Sequence, residues 1–514
     1  MKKSLCILLS LIFVFSSFGA STSAAPAEIV TKSSAASVFS LADLPFGENA
    51  NEFIRQAASY FWVICKTFQD FFTFGSREVT PVKKIVDSSL TPLASADPAN
   101  PHLMGMWCPP RAELMTDFAA ADLLFKDVAA AGFNMMWYYY PGTEKAQLIL
   151  DAAQANGLTV LMSVPGGKDF DKNNPDHAAV ITQFKDHPAL YGFNIMDEPS
   201  AVLFPQLAAV KAGVKEIMGS TDKPVIVNLF PNYASNTQLG YTDDITGKAA
   251  YDNHIRDYCD IFEPEILCYD HYPLSKKMLG SGFVFEKDMV TYFENISTVR
   301  TAAWQQDIPM WLFVQAVSWG GMANPTKEQQ RFLMNAALVF GVKNTLYFFY
   351  QTPYAEDTQG EGFTKYPVDF AGNKTEDYYK VQHVNAEFNN YVDIYAGFES
   401  KGVLLLNPSP GMRSSVAKDI ILPSSFAGIK SMKAYDGAVK NRTLIVGGFE
   451  KTAASLQALY VFNYDYKSAV NAQICFERQK QIEVYGEEGL EQIFTGDKVE
   501  MTLSEGGAKF IVLG

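Results

Sequence analysis

The sequence predicts an α/β protein: a (β/α)8 barrel followed by an all-β C-terminal sandwich. Three observations lead there. Apolar strands alternate with amphipathic helices eight times between residues 102 and 398. No glycine-rich phosphate loop follows the first strand; Trp107-Cys108-Pro109-Pro110 stands there instead, which disfavours a doubly wound dinucleotide fold. After Lys401 the helical period stops and short alternating runs separated by turn residues take over.

Taken in order, the chain of 514 residues opens on Lys2 and Lys3, an apolar run over 5–18 and a small-residue stretch over 20–25. That is the pattern of a cleaved signal peptide over 1–25 and implies a secreted or periplasmic protein. Residues 26–101 read as a leader. Within it, Phe53, Ile54, Phe61, Cys65, Phe68 and Phe72 give 51–74 a helical apolar face. Arg55, Lys66 and Asp70 argue against a membrane span there. Four prolines make 75–101 a linker.

The barrel is expected over 102–398. Its strands are 103–108, 133–140, 159–164, 190–198, 225–228, 266–269, 310–315 and 345–350. Helices between them are expected at 117–131, 143–156, 176–186, 202–218, 251–260, 284–306, 326–340 and 375–395. Gly157 and Gly341 stand where a helix C-terminus favours glycine. The C-terminal domain, 399–514, carries alternating runs at 403–406, 459–464, 472–476, 481–485, 498–503 and 509–513, with no competing helix.

Composition narrows the function. Removing residues 1–25, which hold two lysines and no acid, takes the formal charge from −14 to −16. Such a protein does not suit nucleic acid or an anionic membrane; it suits a neutral or cationic substrate. Five scattered cysteines then remain, an odd number with no C-x-x-C, so neither a disulfide framework nor a redox motif is implied. Six histidines without paired spacing imply no metal site, and nothing implies a cofactor.

A parallel barrel builds its site from the C-terminal ends of its strands. Those ends deliver Trp107, the run Trp137-Tyr138-Tyr139-Tyr140, the pair Asp197 and Glu198, Asn228, Asp270-His271-Tyr272, Gln315 with Trp319, and Tyr350-Gln351. Aromatic faces stack on sugar C–H surfaces, carboxylates and amides bind hydroxyls, and carboxylates cleave acetals. The convergence points to an oligosaccharide or polysaccharide. Glu198 is the expected general acid, because Asp197 beside it and partial burial both raise its pKa. Trp107, Tyr138, Asn228, Tyr272, Gln315, Trp319 and Tyr350 are the expected substrate binders.

The run His187-Pro188-Ala189-Leu190-Tyr191-Gly192-Phe193-Asn194-Ile195-Met196-Asp197-Glu198-Pro199 resembles the fourth strand of clan A glycoside hydrolases, in the branch with Asp-Glu-Pro. Asp270-His271-Tyr272-Pro273 resembles the sixth strand of that branch, and 309–315 followed by Pro325-Thr326 and Gln329-Gln330-Arg331 its seventh. The resemblance covers about 102–398, is carried by motifs, and implies a glycosidase with Glu198 as acid/base. It also implies a strand-seven glutamate nucleophile, where this chain has Gln315. An amide cannot serve as that nucleophile. The second group is then Asp270 acting as a base, a loop acid such as Asp357 or Glu361, or the substrate's own acetamido oxygen oriented by Asp197. Adjacent Asp-Glu pairs also occur in substrate-assisted hexosaminidases. The alternative is a non-catalytic glycan-binding protein on a decayed barrel.

Overall fold

A computed structural model describes residues 79–276, 282–355, 362–436 and 441–514, with the side chains of 282–287 excepted. The expected signal peptide, the helix at 51–74, Asp357 and Glu361 lie outside the described residues.

Eight parallel strands form one sheet: β1 (Met104–Met106), β2 (Met135–Tyr138), β3 (Thr159–Ser163), β4 (Leu190–Asp197), β5 (Val225–Leu229), β6 (Leu267–Asp270), β7 (Met310–Gln315) and β8 (Asn344–Phe348). Their order, β1-β8-β7-β6-β5-β4-β3-β2, is that of a barrel opened between β1 and β2. Asn134 closes the gap. Its N–H donates to Met104 O at 3.1 Å, and its Oδ1 accepts from Met104 N at 2.8 Å. Between strands run α1 (Phe118–Ala130), α2 (Thr143–Ala155), α3 (Pro175–Phe184), α4 (Phe204–Met218), α5 (Gly247–Phe262), α6 (Gly282–Gln306), α7 (Lys327–Leu338) and α8 (Glu376–Asn389). Local sequence starts these helices. Asp117, Asn174, Thr246, Thr326 and Thr375 each accept a backbone N–H from the first turn, and Thr326 with Gln329 forms a capping box.

Side chains of alternate parity fill the barrel and the strand–helix layer. Trp137 and Phe313 meet inside the barrel at 5.4 Å, and both touch Trp107. Gly192 is required in β4: a Cβ there would stand 2.4 Å from Pro224 O, the acceptor of Phe193 N–H. The last helix is not continuous to 395. It stops at Asn389, and Val392–Ala396 forms a separate turn, because Tyr391 between them is pinned by its hydroxyl to Tyr460 of the C-terminal sheet at 2.8 Å.

The C-terminal domain is a seven-stranded antiparallel sheet: β9 (Glu399–Leu406), β10 (Ile429–Tyr435), β11 (Leu444–Lys451), β12 (Leu456–Asn463), β13 (Val470–Gly486), β14 (Gly489–Leu503) and β15 (Ala508–Leu513). One face encloses its own apolar core around Val446, Val461, Ile474, Val484, Phe494 and Ile511. The alternate residues, Ile445, Phe449, Tyr460, Phe462 and Phe510 among them, belong to the core shared with the barrel. Three details differ from expectation. The runs at 472–476 and 481–485 are one long strand, β13, whose register shifts between Cys475 and Lys480 where exposed polar residues interrupt the alternation. β10 and β11 complete the sheet; Lys430, Ser431 and Lys433 mask the apolar pattern of β10, and Gly447-Gly448 that of β11. A short helix, Pro410–Ser415, capped by Ser409, also lies in this domain.

Barrel and sheet are joined through α7. Arg331 binds Glu387 of α8 with two 2.6 Å bonds and donates to Glu505 O at 3.1 Å. Asn335 donates to Gly506 O at 2.8 Å and accepts from Tyr460 at 2.6 Å. The part of the expected linker that is described lies along the same sheet. Ile85 and Asp87 bond Ile493 at 2.9 and 2.8 Å, and Gln481 donates to Thr91 O at 2.8 Å.

Candidate active site

The candidate site begins with an irregularity in β4. Between Asn194 and Asp197, three steps of β4 match two of β5, a bulge that re-aims the strand end. Glu198 follows at φ +45°, a left-handed conformation that is strained for a residue with a side chain. Its N–H still reaches Asn228 O at 2.8 Å. The bulge and the turn together bring two consecutive acids to one place, where strict alternation would send them to opposite faces.

Asn228 is the centre of the cluster. Its Nδ2 donates to Asp197 Oδ1 at 2.9 Å and to Asp270 Oδ1 at 3.1 Å, using both amide hydrogens. Its Oδ1 accepts from the Cys268 thiol at 3.4 Å. The Glu198 and Asp270 carboxyls lie near enough that each shifts the other's protonation. No described lysine or arginine forms an ion pair with any of the three acids.

This crowding sets the protonation. Burial and then the Asp197 charge push Glu198 up to about 7, against a bond from Asp270. Asp197 is open to cleft water on one side and walled by strand ends on the others; loss of bulk solvent pushes it up to about 6, opposed by the Asn228 amide. Asp270, 3% exposed, is raised well above the ordinary range by burial and then by the charges of Glu198 and Asp197. The cluster therefore retains a proton near neutrality, shared between buried Asp270 and the partly exposed Glu198 beside it. The adjacent thiol is inert: burial pushes Cys108 up to about 12.

Aromatic rings wall the cleft. Tyr272 meets Trp319 edge-on at 5.2 Å and Phe348 at 5.1 Å, and Trp319 stacks toward Phe363. On the opposite side Tyr139, 61% exposed, stands edge-on to Trp107, which is itself almost covered. Tyr233, after β5, accepts from Tyr272 N–H at 3.4 Å, and its hydroxyl feels the charges of Asp270 and Glu198.

Asp197, Glu198, Asp270, Asn228, Tyr272 and Trp319 thus come together, with Trp107 beneath the wall. Three expected binders do not join them, and Asn228 has a different task. Tyr138 lies in the strand–helix layer against Phe125, its hydroxyl bound to Pro110 O at 2.6 Å. Tyr350 lies in that layer too, between Phe133 and Tyr378. Gln315 is fully buried and spends its amide on backbone: Nε2 on Leu274 O and Ala323 O at 2.9 and 2.7 Å, Oε1 on Leu274 N at 2.9 Å. It staples two loops and has no group free for a sugar. Asn228 binds carboxyls where a substrate hydroxyl was expected. Tyr233 is the residue the motifs miss, and Tyr139, which the end of strand two offers, takes the place expected for Tyr138. Parity finds Tyr139: Trp137 faces inward, Tyr138 outward, and Tyr139 inward again. His271, beside Asp270, faces away; its Nδ1 meets Asn295 Oδ1 at 2.8 Å and burial pushes it down to about 4. Among the described residues no three His, Cys, Asp or Glu are arranged to hold a metal ion. No helix among them is long and apolar enough to cross a membrane.

No family model and no curated protein matches the chain. Among solved structures it is similar to a family 39 glycoside hydrolase from Bacteroides cellulosilyticus, at 12% identity over 81% of each chain with a TM-score of 0.42. It is also similar to xylanase 10B from Thermotoga maritima, at 13% identity over 56% of this chain and 95% of that one, TM-score 0.36. A third is an endo-laminarinase from Formosa, at 12% over 53% and 84%, TM-score 0.36. These structural neighbours are glycoside hydrolases. Likeness at this level carries nothing to the chemistry of the cleft, which rests on its own side chains.

Proposed function

We propose that this chain is an exported glycoside hydrolase that cleaves O-glycosidic bonds of a glycan, with Glu198 as general acid. The observation that carries the reading is a partly exposed carboxyl, raised to about 7, at a barrel strand end between aromatic walls. Glu198 gives its proton to the leaving oxygen as the C1–O bond breaks. A water later supplies hydroxide to C1 and returns a proton to Glu198.

The second group follows from access. A second carboxyl must reach C1 or hold the attacking water there. Asp270 is 3% exposed and accepts the Asn228 amide, so it does not open on the cleft as Asp197 does. It fits a partner that tunes Glu198, not a base across the ring. Asp197, held by Asn228 and open to the cleft, fits the role of receiving an acetamido N–H while that group's oxygen attacks C1. Among the described groups this favours a 2-acetamido sugar as substrate; a loop acid, Asp357 or Glu361, is the other second group that the sequence offers.

The test is product release from paired aryl glycosides, with and without a 2-acetamido group, and from a panel of glycans. Turnover confined to the acetamido members supports substrate assistance. Equal turnover of both overturns it and leaves the acid in place. A second reading, glycan binding without catalysis, draws on the engaged Gln315. Calorimetric affinity for a glycan that stays intact over long incubation would favour it.

A further inference from the structure

The other end of the barrel holds a second concavity, of about 430 Å³. It lies where β7 and β8 begin, beside the last turn of α6 and the first residues of β9. Its charged and polar lining includes Arg300, Asp307, Lys343, Asn344, Glu399 and Lys401, with Trp304 as an aromatic wall.

The cations here are not equivalent. Lys343 has Glu399 at 2.9 Å and the carbonyls of Ala396 and Phe398 at 3.1 and 2.5 Å. Lys401 has Glu450 at 3.5 Å. Arg300 is 8% exposed and makes no ion pair among the described residues. Among the described residues its Nη2 donates to Ser400 O at 2.7 Å, its guanidinium lies 5.0 Å from the centre of the Trp304 ring, the charge of Glu399 acts on it from beyond ion-pair distance, and its Nε has no hydrogen-bond partner. A guanidinium has five donors and stays charged, so burial with no oxyanion in bonding distance and an open Nε is costly. Fork-shaped donors match the paired oxygens of a carboxylate or phosphate. Trp304, 42% exposed, offers a ring face, and Asp307 and Asn344 offer hydroxyl partners.

We propose that this concavity is a second, non-catalytic site for a sugar bearing an oxyanion, with Arg300 on the anion and Trp304 on the ring. The inference does not depend on the reading of the cleft. It is tested on the full chain by calorimetry and thermal shift with glucuronate, glucose 6-phosphate and glucose. Either oxyanion sugar should bind and raise the melting temperature with dose, while glucose does not; which of the two binds tells carboxylate from phosphate. Glu198→Gln should bind as the wild type does. Arg300→Gln should lose tenfold or more in affinity. Trp304→Ala, a change at a half-open position, should lose several-fold and carries the test if Arg300→Gln does not fold. Failure of both oxyanion sugars to bind overturns the proposal. So does binding that survives in both Arg300→Gln and Trp304→Ala, or binding that Glu198→Gln abolishes.

Discussion

The cleft and the α7 joint treat buried charge in opposite ways. In the joint, Arg331 and Glu387 face each other with two bonds, and a backbone carbonyl takes a further donor. In the cleft, three acids meet around one amide with no described cation among them, and the backbone at Glu198 is left-handed. The first arrangement stabilises two packed domains. The second costs stability and is held in place by what surrounds it. The contrast shows which charges hold the fold and which are poised for chemistry: poised charges are those whose neighbours oppose ionisation.

The contrast can be broken at either end. The largest effect is expected from Glu198→Gln, which should lower turnover roughly 10²–10⁴-fold, the usual contribution of a general acid. Circular dichroism should be unchanged. Breaking the joint comes next. Arg331→Met takes the two-bond partner from buried Glu387 and leaves it only His383, at 3.0 Å; it should cost about 3 kcal/mol in denaturant unfolding, with little change in turnover of the surviving folded protein.

The two regions also answer pH differently. The folded pKa of Glu198 is raised from 4.5 to about 7. Its stability term is fully present below about 4.5 and is lost as pH rises through about 7. Glu198→Gln should therefore be more stable than wild type at pH 8, by on the order of 1–3 kcal/mol, with the gap closing toward pH 4. Asp197→Asn removes a charge that raises Glu198, so the alkaline limb of the rate profile should move to lower pH. The smallest effects sort the aromatic residues. Tyr138→Phe and Tyr350→Phe should leave KM within about twofold. Trp319→Ala and Tyr139→Ala should raise it, since those rings face the cleft.

Much of this was legible in the sequence, because strand and helix periods are local. The eight strands, the Asp-Glu strand end and the meeting of Asp197, Glu198 and Asp270 followed from counting units and applying the barrel rule. What a count does not carry is parity past a strand end. Tyr138 and Tyr350 were expected in the cleft because they close their strands, yet alternation turns them into the helix layer. Partner choice was equally hidden. Gln315 stands where a nucleophile was expected, but the loops that claim its amide come from residues 274 and 323, whose approach no local pattern encodes. Asn228 looked like a sugar ligand, but the bulge in β4 brings Asp197 within its reach while β6 brings Asp270 to the other amide hydrogen.

The central claim is that Glu198 keeps its proton near neutral pH. The direct measurement is a carbon NMR titration of the protein labelled at glutamate carboxyls, with Glu198→Gln used to assign the signal. A midpoint near 7, falling in Asp197→Asn, is expected. A midpoint at the ordinary 4.5, unmoved by Asp197→Asn, would contradict it.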